Sequence, residues 1–233
     1  MSGVFDAYEY TSPIIINKDT ILKFMVVLNG NNSNVATNNY VVRSAHIRFN
    51  NNASETRYIK AYSDNAFMPD KVITRYEVIE SLANLLDIEK VDYTLTLSDL
   101  KDEYKDVIEL FIGAGIINGY EDGTFKGEEG LTRAEFIKIM SIILNLEEVG
   151  EVGIFSDTNG HWALKYISSF EKLGYVKGYE DGTFRPDNKM TRAEFVTLVN
   201  RIVKVSIKEV TETISDLNKT HWAYEDIMTS YIK

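Results

Sequence analysis

Three arginines recur along this chain at almost constant spacing, each within the pattern Thr-Arg-x-Glu. They are Arg75, Arg133 and Arg192. An arginine guanidinium is planar and always charged, and it can hold a carboxylate through two parallel hydrogen bonds. Arg133 stands at the first position of a predicted helix, where a positive charge is mildly unfavourable against the helix dipole. A residue that does not help its own helix, repeated three times, indicates binding of an anion.

Two tryptophans recur within the pattern His-Trp-Ala, at Trp162 and Trp222. Each begins a predicted amphipathic helix, so packing into the core is one interpretation. Stacking on a sugar ring is the other, and a tryptophan at the edge of a groove would satisfy both. The neighbouring His161 and His221 have no partner at metal-ligand spacing, and we expect them to pack at the helix starts.

The elements that must position these side chains form a repeat of helix, glycine-rich loop and helix. The string Gly-Tyr-Glu-Asp-Gly-Thr-Phe begins at Gly119 and again at Gly178, and a weaker copy begins at Ala61. Its Asp-Gly pairs are most simply turn residues. The second helix of each copy begins at the threonine, because Thr-x-x-Glu is a capping box. A single copy has too small a core to fold alone, so the copies should pack together.

The two ends of the repeat region are incomplete in complementary ways. We call the first helix of a repeat its front half, and the loop with the second helix its back half. The first copy has no clear front half, and the last copy has a front half only. We therefore predict repeats at about 58–96, 97–154 and 155–213, with 214–233 docking against the first repeat and completing it. Residues 1–57 form a separate small β segment, with short strands predicted at Ile14–Ile16, Leu22–Leu28 and Asn39–Val42. The predicted fold class is mainly α, with three helix-loop-helix repeats in a pseudo-threefold bundle.

Composition excludes several kinds of protein. The chain has no cysteine, which rules out disulfides and thiolate metal sites. No apolar run is long enough to span a bilayer, and the first residues do not resemble a secretory signal, so we expect no membrane insertion and any export signal to lie elsewhere. The net charge of −10 disfavours nucleic acid as a partner. The Asp-Gly loops lack the carboxylate spacing of an EF-hand, and we predict no metal and no cofactor.

One copy, Phe155 to Val203, closely resembles the S-layer homology domain. It contains in order Phe-Ser-Asp, His-Trp-Ala, Leu-Gly, Gly-Tyr-Glu-Asp-Gly-Thr-Phe-Arg-Pro and Thr-Arg-Ala-Glu-Phe. The resemblance implies three domains around a pseudo-threefold axis, with grooves between neighbours that hold a pyruvylated secondary cell-wall polysaccharide. The arginine of Thr-Arg-Ala-Glu would meet the acidic ketal. The candidate ligand-binding residues are Arg75, Arg133, Arg192, Trp162, Trp222, Gly119, Gly178, Asp122 and Asp181.

The chain departs from this family pattern in places. The first copy has Tyr76 where alanine is usual, and the second has no tryptophan. Counted forward from Asp99 the tryptophan position falls on Tyr104, and counted back from Gly115 it falls on Glu103. The N-terminal string Tyr-Thr-Ser-Pro-Ile-Ile-Ile resembles the latter half of an Ig-like chitobiase/β-hexosaminidase C-terminal repeat, which implies a fragment of a longer surface protein.

These observations predict a non-catalytic wall-anchoring module at the surface of a Gram-positive-type bacterium. The alternative is a structural S-layer protein whose repeats mediate self-association. A hydrolase using paired carboxylates such as Glu135 and Glu194 is disfavoured, because capping explains both residues. Since the body of the chain is acidic, the grooves should be locally electropositive. We also expect no carboxylate beside the arginines, since it would compete with the ligand.

Overall fold

The computed structural model describes residues 20–24, 27–28, 31–32, 36–40, 47–62, 64–91, 96–146, 155–206 and 213–232. The chain divides into two compact units, Met1–Ser44 and Ala45–Lys233. The second unit, which we call the helical body, contains all of the candidate site residues.

The described residues of the N-terminal unit form two small antiparallel ladders. Strand β1 (Thr20–Phe24) pairs with β4 (Ala36–Tyr40), and β2 (Val27–Leu28) pairs with β3 (Asn31–Asn32). The strand predicted at 22–28 is thus divided between β1 and β2, with residues 25–26 outside the described part. Strand β3 lies between the predicted strands Leu22–Leu28 and Asn39–Val42. The strand predicted at Ile14–Ile16 lies outside the described residues.

The helical body begins earlier than the predicted boundary after residue 57. Strand β5 (Ile47–Phe49) pairs antiparallel with β7 (Leu86–Ile88), and Ala53, in a short 3-10 helix (Ala53–Glu55), is buried in the main core. These contacts are made with residues far along the chain. Local patterns alone predict that residues 47–57 belong to the β segment, whereas the division between the compact units falls after Ser44.

The described part of the chain contains six α-helices, which confirms the mainly-α prediction. They are α1 (Arg75–Ala83), α2 (Lys105–Gly113), α3 (Arg133–Ile143), α4 (Leu164–Lys172), α5 (Arg192–Val203) and α6 (Tyr224–Ser230). The predicted capping boxes are confirmed at Thr74, Thr132 and Thr191, each of which accepts a hydrogen bond from the glutamate three residues later. Helices α1, α3 and α5 are the back helices of the first, second and third repeats.

Three backbone hydrogen bonds join the repeats in a closed cycle. The amide of Ile73 donates to the carbonyl of Met190 at 3.0 Å, Met190 donates to Leu131 at 3.0 Å, and Leu131 donates to Ile73 at 3.2 Å. All three residues are buried. The residue just before each capping threonine therefore contacts both of the other repeats, which gives the body its pseudo-threefold arrangement.

A repeated aspartate fixes the glycine-rich loop of each repeat. Asp99 accepts hydrogen bonds from the amides of Phe125 and Lys126, and Asp157 accepts them from Phe184 and Arg185. In the first repeat the equivalent carboxylate comes from the far end of the chain, because Asp216 accepts from Phe67 at 2.8 Å and Met68 at 2.7 Å.

The C-terminal segment makes further contacts with the first repeat. Strand β8 (Tyr231–Ile232) pairs in parallel with β6 (Ile59–Lys60), and the amide of Tyr58 donates to the carbonyl of Ser230. Both Tyr58 and Tyr231 are fully buried. The front helices α2, α4 and α6 pack on the back helices α1, α3 and α5, respectively. Each front helix therefore contacts the repeat before its own in the cycle.

Candidate functional site

The main chain of each repeat arginine is held by the glycine-rich loop of the next repeat in the cycle. The amide of Arg75 donates to the carbonyl of Glu129, Arg133 donates to Asn188, and Arg192 donates to Lys71, all at 2.9–3.0 Å. An amide at the first position of a helix has no partner within that helix. The neighbouring repeat supplies the missing acceptor and fixes where each arginine side chain begins.

The arginine side chains continue into the same junctions. The Nε atom donates to the carbonyl of a phenylalanine in the next repeat, from Arg75 to Phe125 at 3.0 Å, from Arg133 to Phe184 at 2.9 Å and from Arg192 to Phe67 at 2.7 Å. We name the junctions by the repeats they join: the 1–2 junction holds Arg75, the 2–3 junction Arg133 and the 3–1 junction Arg192.

Each guanidinium also lies over two aromatic rings of the next repeat. For Arg133 the guanidinium carbon is 5.0 Å from the ring centre of Tyr179 and 4.6 Å from that of Phe184. The same pairing holds for Arg75 with Tyr120 and Phe125, and for Arg192 with Tyr62 and Phe67. Such cation–π contacts orient the guanidinium and use none of its hydrogen-bond donors.

The three arginines differ in how many donors remain for a ligand. Arg192 also donates from Nη1 to Glu77 at 2.9 Å and from Nη2 to the carbonyl of Lys60 at 2.6 Å, and its side chain is only 2% exposed. The side chain of Arg133 is 13% exposed, and the one carboxylate that pairs with it among the described residues, Glu194, lies 3.5 Å away. Arg75 is buried and forms no salt bridge with any carboxylate among the described residues.

The expectation that carboxylates would be absent beside the arginines is wrong at two junctions. Glu77 and Glu194 each use Oε2 in the capping box, while Oε1 faces the preceding repeat's arginine. The same Oε1 atoms accept from the hydroxyls of Tyr62 at 2.5 Å and Tyr179 at 2.8 Å. Capping needs only one carboxylate oxygen, so the sequence could not indicate where the other would point.

These contacts also affect the tyrosines. The pKa of Tyr179 is raised, first by burial and then by its hydrogen bond to Glu194, with the nearby Arg133 acting in the opposite direction. The pKa of Tyr62 is raised by burial and by Glu77. Both hydroxyls therefore stay protonated and serve as donors at neutral pH.

Trp162 and Trp222 lie at the surface, with 52% and 63% of each residue exposed. The interpretation that they pack into the core is wrong, because Ala163 and Ala223 occupy the buried positions at the starts of these helices. His161 and His221 accept hydrogen bonds at Nδ1 from the amides of those alanines, which fixes the turn that carries each tryptophan. The indole of Trp162 lies beneath the Nζ atom of Lys138 from the preceding repeat, 5.8 Å from the ring centre.

The second repeat places a glutamate where the others have tryptophan. Helix α2 begins two residues after Glu103, as α4 begins two residues after Trp162. Glu103 is exposed, whereas Tyr104 stacks on Tyr76 with 4.1 Å between ring centres. The count back from Gly115 therefore matches the structure.

The remaining candidate residues have contacts within their own loops. A side chain at Gly119 would collide with Leu97, and one at Gly178 would collide with Phe155, so close packing requires glycine at both positions. Asp122 and Asp181 accept from the amide and hydroxyl of the threonine two residues later. The hydroxyl of Thr183 and then the guanidinium of Arg185 hold the pKa of Asp181 at about 2.

Four further cations at the junctions were missed as site residues. Arg185 lies 3.9 Å from the ring centre of Tyr179, while Lys126 and Lys71 lie 4.3 Å from those of Tyr120 and Tyr62. Arg185 and Lys126 occupy equivalent places after the repeated phenylalanine, which is a signal in the sequence. The fourth, Lys138, gives no such signal, because the equivalent positions in the other back helices hold Glu80 and Thr197.

The junctions thus present orientated cations and exposed aromatic rings, an arrangement suited to an anionic sugar. In the part of the chain that the structure describes, no cluster of three or more His, Asp or Glu side chains could hold a metal ion. None of the described helices combines the length and the apolar character needed to cross a membrane.

Comparison with known proteins relates the second and third repeats to a family. The sequence model of the S-layer homology domain matches residues 97–137 and 154–196. Cell surface glycoprotein 1 of Acetivibrio thermocellus is 34% identical over 188 residues, which cover 73% of this chain and 8% of that protein. The cellulosome-anchoring protein of the same organism is 34% identical over 187 residues, which cover 75% of this chain and 42% of that protein. S-layer protein EA1 of Bacillus anthracis is 34% identical over 122 residues, which cover 51% of this chain and 14% of that protein.

The chain therefore spans less than half the length of these relatives. The matched ranges contain the complete loops and capping boxes of the second and third repeats, including Arg133 and Arg192. This chain carries S-layer homology domains, at residues 97–137 and 154–196.

Proposed function

We propose that the helical body is a non-catalytic module that anchors a cell-surface protein to the bacterial cell wall. Its ligand is an anionic secondary cell-wall polysaccharide, which we expect to be pyruvylated. The names of two relatives support this proposal, since one is a cellulosome-anchoring protein and another an S-layer protein.

The observation that carries the proposal is the pairing of an exposed tryptophan with orientated cations at the 2–3 junction. Trp162 presents its ring to solvent, where a sugar can stack on it. Arg133 is held by the carbonyl of Phe184 and by the rings of Tyr179 and Phe184, so its position is fixed before a ligand arrives. A fixed guanidinium loses little entropy when it binds a carboxylate, and a charge-assisted bond of this kind contributes about 1.5–3 kcal/mol.

We further propose that the first copy and the C-terminal segment together form a third S-layer homology domain. Asp216 holds the loop of the first copy through the same two amides that Asp99 and Asp157 hold in their own repeats. Asn65 adopts a positive φ of 61° at the place of Gly123 and Gly182, so the loop keeps its shape without glycine.

A pull-down with purified cell-wall sacculi tests the proposed function. The whole chain should sediment with untreated sacculi and stay in solution with sacculi from which acid has stripped the secondary polymer. An Arg133→Ala, Trp162→Ala double variant should stay in solution in both cases, provided that its circular dichroism matches the parent. Equal sedimentation of the parent with both preparations would reject a polymer-binding role.

Self-association is a second candidate, favoured by the uneven charge of the repeats. Residues 97–146 carry five Lys or Arg and ten Asp or Glu, whereas residues 155–206 carry eight and six. The acidic second repeat of one copy could therefore attract the basic third repeat of another. Sedimentation velocity over a concentration series at low and high salt tests this, and a monomer at every concentration would reject it.

A further inference from the structure

We infer that only one of the three junctions, the 2–3 junction, binds the polysaccharide, so that each copy of this chain takes one ligand site. This inference rests on the proposed function and concerns which residues carry it. The three junctions share the backbone hydrogen bonds that hold the arginine, and three of their differences bear on binding: the side-chain contacts of the arginine, the residue at the tryptophan position, and the sixth residue of the back helix.

In the 3–1 junction the arginine is not available to a ligand. Arg192 donates from all three of its nitrogens to protein acceptors, and its side chain is almost completely buried. Its links to Lys60 and Glu77 hold the third repeat against the first. The sixth residue of α5 is Thr197, whose hydroxyl donates to Asp226 at 2.9 Å. Trp222 is exposed here, but no cation comparable to Lys138 stands at that helix position.

The 1–2 junction has the wrong charge at its surface. Glu103 replaces the tryptophan, so the aromatic platform is missing and a carboxylate stands in its place. The sixth residue of α1 is Glu80, which forms a salt bridge with Lys60 at 2.5 Å. Arg75 is buried. An acidic sugar here would find Glu103 in place of the indole and Glu80, already paired with Lys60, in place of Lys138.

The 2–3 junction alone combines all three features. Arg133 is the most exposed of the three arginines, Trp162 supplies the platform, and Lys138 is exposed with its Nζ over that ring. No carboxylate among the described residues forms a salt bridge with Lys138. Its position beside the indole suits contact with the charged substituent of a sugar that stacks there. Lys138 is therefore assigned as a specificity-determining residue for an anionic sugar.

Calorimetric titration of the whole chain tests this inference. The probe is a hexosamine methyl glycoside that carries a pyruvate ketal, with the methyl ester of the ketal as the uncharged control. We expect a stoichiometry near one and no detectable binding of the ester. Trp162→Ala and Lys138→Gln should each weaken binding at least tenfold, whereas the matched changes Trp222→Ala and Thr197→Ala in the 3–1 junction should alter it less than twofold.

The outcomes separate the two levels of the proposal. A stoichiometry of two or three, or an equal loss from Trp222→Ala and Trp162→Ala, would overturn the single-site inference while leaving the proposed function in place. If Lys138→Gln binds as the parent does, the assignment of Lys138 is wrong. If neither the probe nor the purified wall polymer binds the parent, the proposed function fails and the single-site inference fails with it.

Discussion

The Nη1 atom of Arg192 lies 2.9 Å from Oε1 of Glu77, although the two residues are 115 positions apart in the chain. This ion pair joins the third repeat to the first, and Nε and Nη2 of the same arginine bind the carbonyls of Phe67 and Lys60. The residue that the repeat pattern marks most clearly for ligand binding is thus, in this copy, part of the contact that closes the cycle.

Replacement of Arg192 should therefore damage the fold more than replacement of Arg133. Arg192→Gln leaves two carbonyls and a partly buried carboxylate without their partner, and we expect a loss of about 3 kcal/mol in the free energy of unfolding. Arg133→Gln removes one hydrogen bond to a backbone carbonyl and a longer ion pair, and we expect a loss of about 1 kcal/mol in the free energy of unfolding. Urea denaturation of both variants measures the difference, and equal losses would contradict a structural role peculiar to Arg192.

Asp216 should stabilise the first repeat from the opposite end of the sequence. Asp216→Ala removes the carboxylate that accepts hydrogen bonds from the amides of Phe67 and Met68. The free energy of unfolding should therefore fall by about 2 kcal/mol. Deletion of residues 214–233 should lower the melting temperature further. Glu180→Ala, at an exposed glutamate of the third repeat, is the control and should change stability little. A deletion variant as stable as the parent would show that the segment does not complete the first repeat.

Arg133→Lys should weaken polymer binding while the fold is retained. Lysine keeps the charge but loses the planar fork that can hold a carboxylate through two bonds. We expect a loss of roughly tenfold in affinity, which corresponds to about 1.4 kcal/mol. Calorimetry with purified wall polymer measures the affinity, and unchanged circular dichroism serves as the control. If lysine restores full affinity to this site, bidentate recognition is not the mechanism.

Asp181 should titrate far below the ordinary range of an aspartate. Because its folded pKa of about 2 lies below the ordinary value of 3.8, its contacts stabilise the loop above pH 3.8, and this contribution is lost as the pH falls through about 2. Thr183→Val removes the hydroxyl donor and should raise the pKa of Asp181. Carbon NMR of the carboxyl groups reports the titration, with Asp122 of the second repeat as an internal control. A pKa that does not move in the variant would contradict the assigned cause.

Local patterns predicted the helices and their caps well. The Thr-x-x-Glu spacing predicted all three capping boxes, because capping depends only on residues within one turn. The repeated aspartate at 99, 157 and 216 was visible in the sequence, but its acceptor role was not, since the amides that it binds lie more than 25 residues away in every repeat.

The candidate site was harder to predict for the same physical reason. Trp162 begins an amphipathic helix, yet the helix start turns it outward and buries Ala163 instead. The free oxygen of each capping glutamate meets an arginine only because the repeats close into a cycle. Lys138 belongs to no repeated pattern, so only its distance from Trp162 reveals it. Contacts between repeats decided the last two outcomes, and no local pattern encodes them.

The most direct test of the account is a titration of the whole chain with one purified wall polymer, with and without its acidic substituent, across a salt series. Residues 58–233 carry 31 acidic and 20 basic residues, so long-range attraction cannot drive binding of an anionic polymer. Binding must come from the few orientated cations at the junction. We predict that affinity falls only modestly with salt and falls sharply when the substituent is removed. Equal affinity for the two forms would contradict the central claim that arginine and lysine at the 2–3 junction recognise an acidic sugar.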